Sequence, residues 1–417
     1  MIANEADSGS AGHVPGTRRP LRVATIITRL EGGAGVLALR GVQAMDRDAF
    51  QLTIVTGSGD LLLDAATSSG LEVLVEPSLR MPIAPRDDLQ AMRELEAMMR
   101  GRGFDVVHTH TAKAGAVGRL AAHRAGVPRI VHTFHGFPFH EFQSSARRRA
   151  YVSVERRLGR ITDVALCVGA GVAAEAIRRE LIAPERVRTI DVVVDGPDRA
   201  AAALNARAPE ARLRARLALG LPADATVVGT VGRLTYQKAP EDFLAALVKV
   251  RRPGVVGVWV GGGELAEQVG RRVRALGIPV LLAGQRSDVL EVLPAFDVFA
   301  MSSRYEGLPT AIVEAMICGV PVVATAVNAV SDVVVPGETG LLVPPHRPEL
   351  LAAAIRYLLD SPAVAARMAA VASARVADRY DAAALRLALT AAYSAAAPDR
   401  RTCVTPESSP SPSGRHL

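Results

Sequence analysis

A chain of 417 residues is long enough for two or three domains, and its 49% hydrophobic and 22% charged residues are those of an ordinary folded globular protein. Cys167, Cys318 and Cys403 are too few and too scattered for a disulfide framework or a zinc centre, which points to a reducing cytoplasm. The net charge of +7 is an arginine surplus, since only Lys113, Lys238 and Lys249 are lysines; with aromatics at 4%, base-stacking platforms are scarce and no nucleic-acid partner is expected.

Residues 1–20 contain no apolar core of a secretory signal and read as a disordered lead-in. Short β-branched runs then alternate with alanine-rich stretches of helical length, the pattern of strand–helix units and parallel sheets. Strands are expected at Leu21–Thr28, Gln51–Thr56, Leu71–Glu76, Asp105–Thr109, Arg129–His135, Asp163–Val168 and Val187–Val194. The turn cluster Asp195-Gly196-Pro197 follows, so a first domain is expected over 21–198 and an interdomain linker or helix over 199–225. A second series at Thr226–Val231, Val255–Val260, Pro279–Leu282, Asp297–Met301, Pro321–Ala324 and Gly340–Val343 places a second domain over 226–375. A helix is expected over 376–397, returning to the first domain, and the Pro/Ser-rich residues 398–417 read as a disordered tail. No stretch approaches the roughly 18 uncharged apolar residues of a spanning helix. The fold class is therefore α/β, with two doubly wound parallel sheets that face each other across a cleft at their strand carboxyl ends.

Two segments carry chemistry. Glu306-Gly307-Leu308-Pro309-Thr310 follows a strand and opens a helix, with Pro309 suited to the first turn, so Glu306 precedes the helix and Glu314 lies inside it. Eight helical residues span roughly 12 Å, too far for a glycosidase dyad. That separation suits two hydroxyl-bearing parts of one elongated ligand, with a phosphate at the helix start between them. Taken alone, the segment reads equally as a capped helix with solvated glutamates. Gly232-Arg233-Leu234-Thr235-Tyr236-Gln237-Lys238 follows the first strand of the second domain, where a planar guanidinium and a point charge could clamp a diphosphate. A solvated surface pair is the plainer reading.

Together these segments resemble the retaining glycosyltransferases of family 4, which have the GT-B fold of two Rossmann-like domains. The likeness runs over roughly residues 21–397. It includes Gly32-Gly33, His132-Thr133-Phe134-His135-Gly136, Gly261-Gly262-Gly263-Glu264, Gly284-Gln285-Arg286-Ser287-Asp288-Val289 and Gly337-Glu338-Thr339-Gly340-Leu341-Leu342-Val343-Pro344. The resemblance implies a UDP- or GDP-sugar donor, with Glu314 on the ribose, Glu306 on the transferred sugar, and Arg233, Lys238 and backbone N–H groups near Leu308–Thr310, in the segment Gly307, Leu308, Pro309 and Thr310, around the diphosphate. His135, Gly32 and Gly33 would approach the donor sugar, and Gly263 and Arg286 would complete its site. Front-face transfer needs no protein nucleophile, and no metal or other cofactor is implied.

This chain departs from the family at Val192-Val193-Val194-Asp195, at Ala239 and at Asn328-Ala329, each where glycine or asparagine-glycine is usual. Asn328-Ala329 is expected to crowd the phosphate side of the donor or to alter which sugar fits, which leaves open a protein that binds a nucleotide-sugar without turning it over. A dinucleotide-dependent oxidoreductase is excluded by Gly32-Gly33-Ala34-Gly35, which lacks the required glycine spacing. Phe137–Arg160 joins Phe137, Phe139, Phe142 and Tyr151 to six arginines, the composition of a segment lying on anionic lipid or of an exposed basic helix. The expected acceptor is a carbohydrate or lipid-linked precursor, and the expected location is the cytoplasm, against the inner face of the membrane.

Overall fold

The structure is a computed structural model and describes residues 19–59, 61–81, 83–137, 139, 143–190, 208, 210–250, 252–307, 309–379 and 382–394. The first sheet contains β1 (Leu21–Leu30), β2 (Phe50–Gly59), β3 (Glu72–Val75), β4 (Val106–His110), β5 (Arg129–Phe134), β6 (Val164–Val168) and β7 (Val187–Ile190), in spatial order 3-2-1-4-5-6-7. The second contains β8 (Thr226–Val231), β9 (Val255–Val260), β10 (Val280–Gly284), β11 (Val298–Met301), β12 (Val322–Thr325) and β13 (Leu341–Val343), in order 10-9-8-11-12-13. Every pairing between these strands is parallel. Each expected strand forms within a few residues of its expected ends, except that Asp191–Val194 lie outside the described residues.

Parallel neighbours require crossovers, and helices supply them. These are α1 (Gly32–Ala44), α2 (Leu61–Ser68), α3 (Pro85–Arg102), α4 (Ala112–Ala125), α5 (Ser145–Arg160), α6 (Ala170–Arg178), α7 (Ala211–Ala218), α8 (Pro240–Val250), α9 (Ala266–Leu276), α10 (Val289–Val292), α11 (Thr310–Ile317), α12 (Val330–Val333), α13 (Pro348–Asp360), α14 (Pro362–Arg379) and α15 (Ala382–Ser394). With helices on both faces, strands lose their polar side: all of β4, β5, β11 and β12 is buried.

In each sheet the chain order reverses beside one strand, β1 in the first and β8 in the second. The loops leaving β1 and β8 therefore open at the switch points, where such sheets form their crevices. The last helix, α15, packs on α1 and β5 of the first domain; Arg129 donates to the Ala392 carbonyl and Tyr393 bonds His108. Its Leu385 and Leu389 join a core that runs without a break through Ile54 and Leu166 to Ile312 and Val322 of the second domain. Among the described residues no helix is long and apolar enough to cross a membrane.

Candidate active site

The loops after β8 and β11 are stitched together. Arg304 N–H donates to the Gln237 carbonyl at 2.8 Å, and the Ser302 hydroxyl donates to the carbonyls of Lys238 and Ala239. This brings Lys238 Nζ to 2.6 Å from Glu306 Oε1, while Gln237 Nε2 donates to Glu306 Oε2 at 3.3 Å and to the Tyr305 carbonyl at 3.0 Å. Glu306 is buried, so its charge is tolerated only because these donors replace water. Lys238 is thus engaged by a carboxylate and does not stand free for phosphate, as its spacing alone suggests. Of the three donors on its ammonium, two remain to distribute.

Glu314 lies inside α11 near the same ammonium. Burial pushes its carboxyl up to about 7, and Lys238 pulls in the opposite direction. Arg233 is exposed and makes no side-chain hydrogen bond or ion pair among the described residues. Its loop is seated on the glycine segment after β9: Leu234 N–H donates to the Gly262 carbonyl, and a Cβ on Gly263 would come within 2.5 Å of the Leu234 carbonyl oxygen. Only glycine permits that approach. Arg286 is turned to Asp288, with Nε–Oδ1 at 2.7 Å, and the structure does not join it to the Lys238–Glu306 pair. Leu308 lies outside the described residues, while Pro309 is buried directly ahead of α11.

The first domain meets this group across the cleft. Gly33, in the first turn of α1, faces Thr310, in the first turn of α11; a Cβ on Gly33 would lie 3.7 Å from the Thr310 hydroxyl. Two helix starts therefore converge, the arrangement that favours an anion. Gly307 rests on the His135 carbonyl so closely that a Cβ would sit 1.6 Å from its oxygen. His135 Nε2 is 2.9 Å from His110 Nδ1, and burial pushes the His135 imidazole down to about 4, so it is neutral near pH 7. It can donate or accept a hydrogen bond there but carries no acid proton to give.

Several contributors escape a reading of the sequence. His110 ends β4, and the next residue, Thr111, holds φ +65, a costly backbone for a β-branched side chain. The repeated histidines of His108-Thr109-His110 at a strand end were the available signal. Asn328 holds φ +44, a left-handed conformation that asparagine tolerates better than most residues, and its Oδ1 accepts from Glu306 N–H at 3.0 Å. Asn328 thus adopts glycine-like backbone and supports the Glu306 loop. Ala239, another departure, holds φ +49 at a strain cost of roughly 1 kcal/mol.

The basic segment also needs correction. Phe139 is buried and stacks on the partly buried Phe137 with ring centroids 4.9 Å apart, and Arg179 lies over Phe139, so these rings face the protein. Phe142 lies outside the described residues. What α5 exposes is Arg147, Arg149, Arg156, Arg157, Arg160 and the half-exposed Val154. Among the described residues no group of three or more His, Cys, Asp or Glu side chains is arranged to hold a metal ion.

The family model described as Glycosyltransferase Family 4 matches residues 31–195, and that described as Glycosyl transferases group 1 matches residues 212–375. The D-inositol 3-phosphate glycosyltransferase of Rhodococcus opacus is 32% identical over 373 residues, covering 81% of this chain and 80% of its own. The UDP-Gal:alpha-D-GlcNAc-diphosphoundecaprenol alpha-1,3-galactosyltransferase of Escherichia coli is 29% identical over 320 residues, covering 75% and 81%. Among solved structures, Anabaena HepE in complex with UDP-glucose superposes with a TM-score of 0.75 at 22% identity, covering 89% of this chain and 98% of that one. That likeness shows the GT-B fold. The first match starts just after β1 and covers the rest of the first sheet, the second covers the whole second sheet, and the chain belongs to glycosyltransferase family 4 and is a glycosyltransferase.

Proposed function

We propose that the enzyme moves a sugar, with retention, from a UDP- or GDP-sugar to a hydroxyl of a lipid-linked or polysaccharide-precursor acceptor. The observation that carries this reading is the Lys238–Glu306 pair beside Glu314 and the open Arg233, set where two helix starts converge. In this arrangement Glu314 accepts from the ribose hydroxyls and Glu306 from hydroxyls of the transferred sugar. Arg233, the remaining donors of Lys238 and the backbone N–H groups of Thr310, Gly32 and Gly33 surround the diphosphate. The bond from the anomeric carbon to the phosphate oxygen breaks with its electrons moving onto the diphosphate, where these preorganised positive groups lower the barrier. The acceptor oxygen attacks from the same face and its proton passes to the departing phosphate. His135, neutral and held by His110, contributes a hydrogen bond to the sugar rather than a proton.

The Escherichia coli relative supports this assignment by its name, that of a UDP-galactose enzyme acting on a diphosphoundecaprenol-linked sugar. The arginine face of α5 fits an anionic leaflet, which would bring such an acceptor to the cleft. The test is to incubate the protein with UDP- and GDP-sugars and acceptor, follow nucleotide release, and read the product's anomeric configuration by NMR. Release that persists in EDTA with the donor's configuration kept is expected. An inverted product removes retention, and no release with any donor removes the reading.

A further inference from the structure

The loop after β12 touches both halves of the molecule. Asn328 accepts from Glu306 N–H at 3.0 Å through Oδ1; since an N–H must meet an oxygen, this fixes which way the amide points. The same residue's backbone lies under the start of α6 in the first domain, where a Cβ on Gly171 would fall 3.2 Å from the Asn328 carbonyl. Four residues on, Asp332 Oδ2 accepts from Gly171 N–H at 3.0 Å, placing a carboxylate at the amino end of α6. Beside it, a Cβ on Gly169 would come to 3.2 Å from the Ala329 methyl group. One short segment thus grips the first domain at Asp332 and the Glu306 loop at Asn328.

We propose that Asn328 is a positioning residue for Glu306, and that the contact of Asp332 with α6 makes this positioning depend on the seating of the two domains. The role given to Glu306 rests on the function proposed above; the hydrogen bond does not. The left-handed backbone at Asn328 is what brings the amide oxygen under the Glu306 N–H. Glycine could take the same backbone but offers no acceptor, whereas aspartate tolerates it and keeps one.

The test compares Asn328→Gly, Asn328→Asp and Asp332→Ala in the full chain, using residue-resolved amide exchange at Glu306 and steady-state kinetics with a UDP-sugar. In Asn328→Gly, exchange at Glu306 is expected to rise and kcat to fall about tenfold, with donor KM changing less, as loss of one hydrogen bond predicts. Asn328→Asp is expected to restore both, and Asp332→Ala to raise exchange at Glu306 from a distance. Unchanged exchange in Asn328→Gly, or equal impairment of the Gly and Asp variants, overturns the positioning role. Unchanged exchange in Asp332→Ala overturns the link to domain seating. A wild-type protein without turnover would sink the proposed function while leaving the exchange results to decide this one.

Discussion

At Glu314, burial and a nearby ammonium pull one carboxyl in opposite directions, and burial wins, holding it at about 7 against an ordinary 4.5. A group whose value is raised by folding stabilises the fold below its unfolded value and loses that contribution as pH rises through the folded one. Stability without ligand is therefore expected to fall between about pH 4.5 and pH 7. Glu314→Gln should match wild type at the low end and exceed it at pH 8 by on the order of 1 kcal/mol after allowance for solvent access, read from urea midpoints. Parallel pH profiles would refute this. Ribose hydroxyls favour the ionised carboxylate, so a UDP-sugar, whose diphosphate keeps its charge over this range, should bind wild type more tightly at about pH 8 than at about pH 5.5, and the Gln variant should show no such gain. Glu306, Glu314, Arg233 and Lys238 were legible in the sequence because each lies within one of two short segments at strand ends. His110 and Asn328 were not, because their partners, His135 and Glu306, are 25 and 22 positions away and meet them only through the sheets.

At the scale of elements, apolar runs such as Val298–Met301 announced buried strands directly. The end of β2 was hidden, because Gly57-Ser58-Gly59 has the composition of a turn yet pairs with β1 through Arg29↔Ser58 and Leu30↔Gly59. Packing accounts for the first glycine, since a Cβ on Gly57 would meet the Leu79 carbonyl oxygen at 1.8 Å. In α5 the composition was legible but its facing was not: Glu155 turns inward to the buried Arg119, at 2.7 Å, leaving the arginine-rich side outward. Changing Arg147, Arg149 and Arg157 to Glu should abolish flotation with anionic vesicles, at about 1 kcal/mol for each lost attraction. Flotation that survives the triple change, or wild-type flotation equal on neutral vesicles, would remove the membrane role of α5.

At the scale of the molecule, the first domain is completed by residues from the far end of the chain. Leu389 is 2% exposed, and a Cβ on Gly41 of α1 would lie 3.1 Å from its Cδ1. Leu389→Ala should cost about 3 kcal/mol, the usual range for a buried leucine, and lower the denaturation midpoint of the part containing β1 and β4. A loss confined to fraying of α15 would show that the helix is an accessory. Among the described residues the chain thus leaves the first sheet after β7 and comes back to it in α15. Because α15 closes over α1 and β5, pulling the two halves apart has to strain the connection into that helix as well as the one after β7, so the last helix acts as a strap as well as a wall of the core.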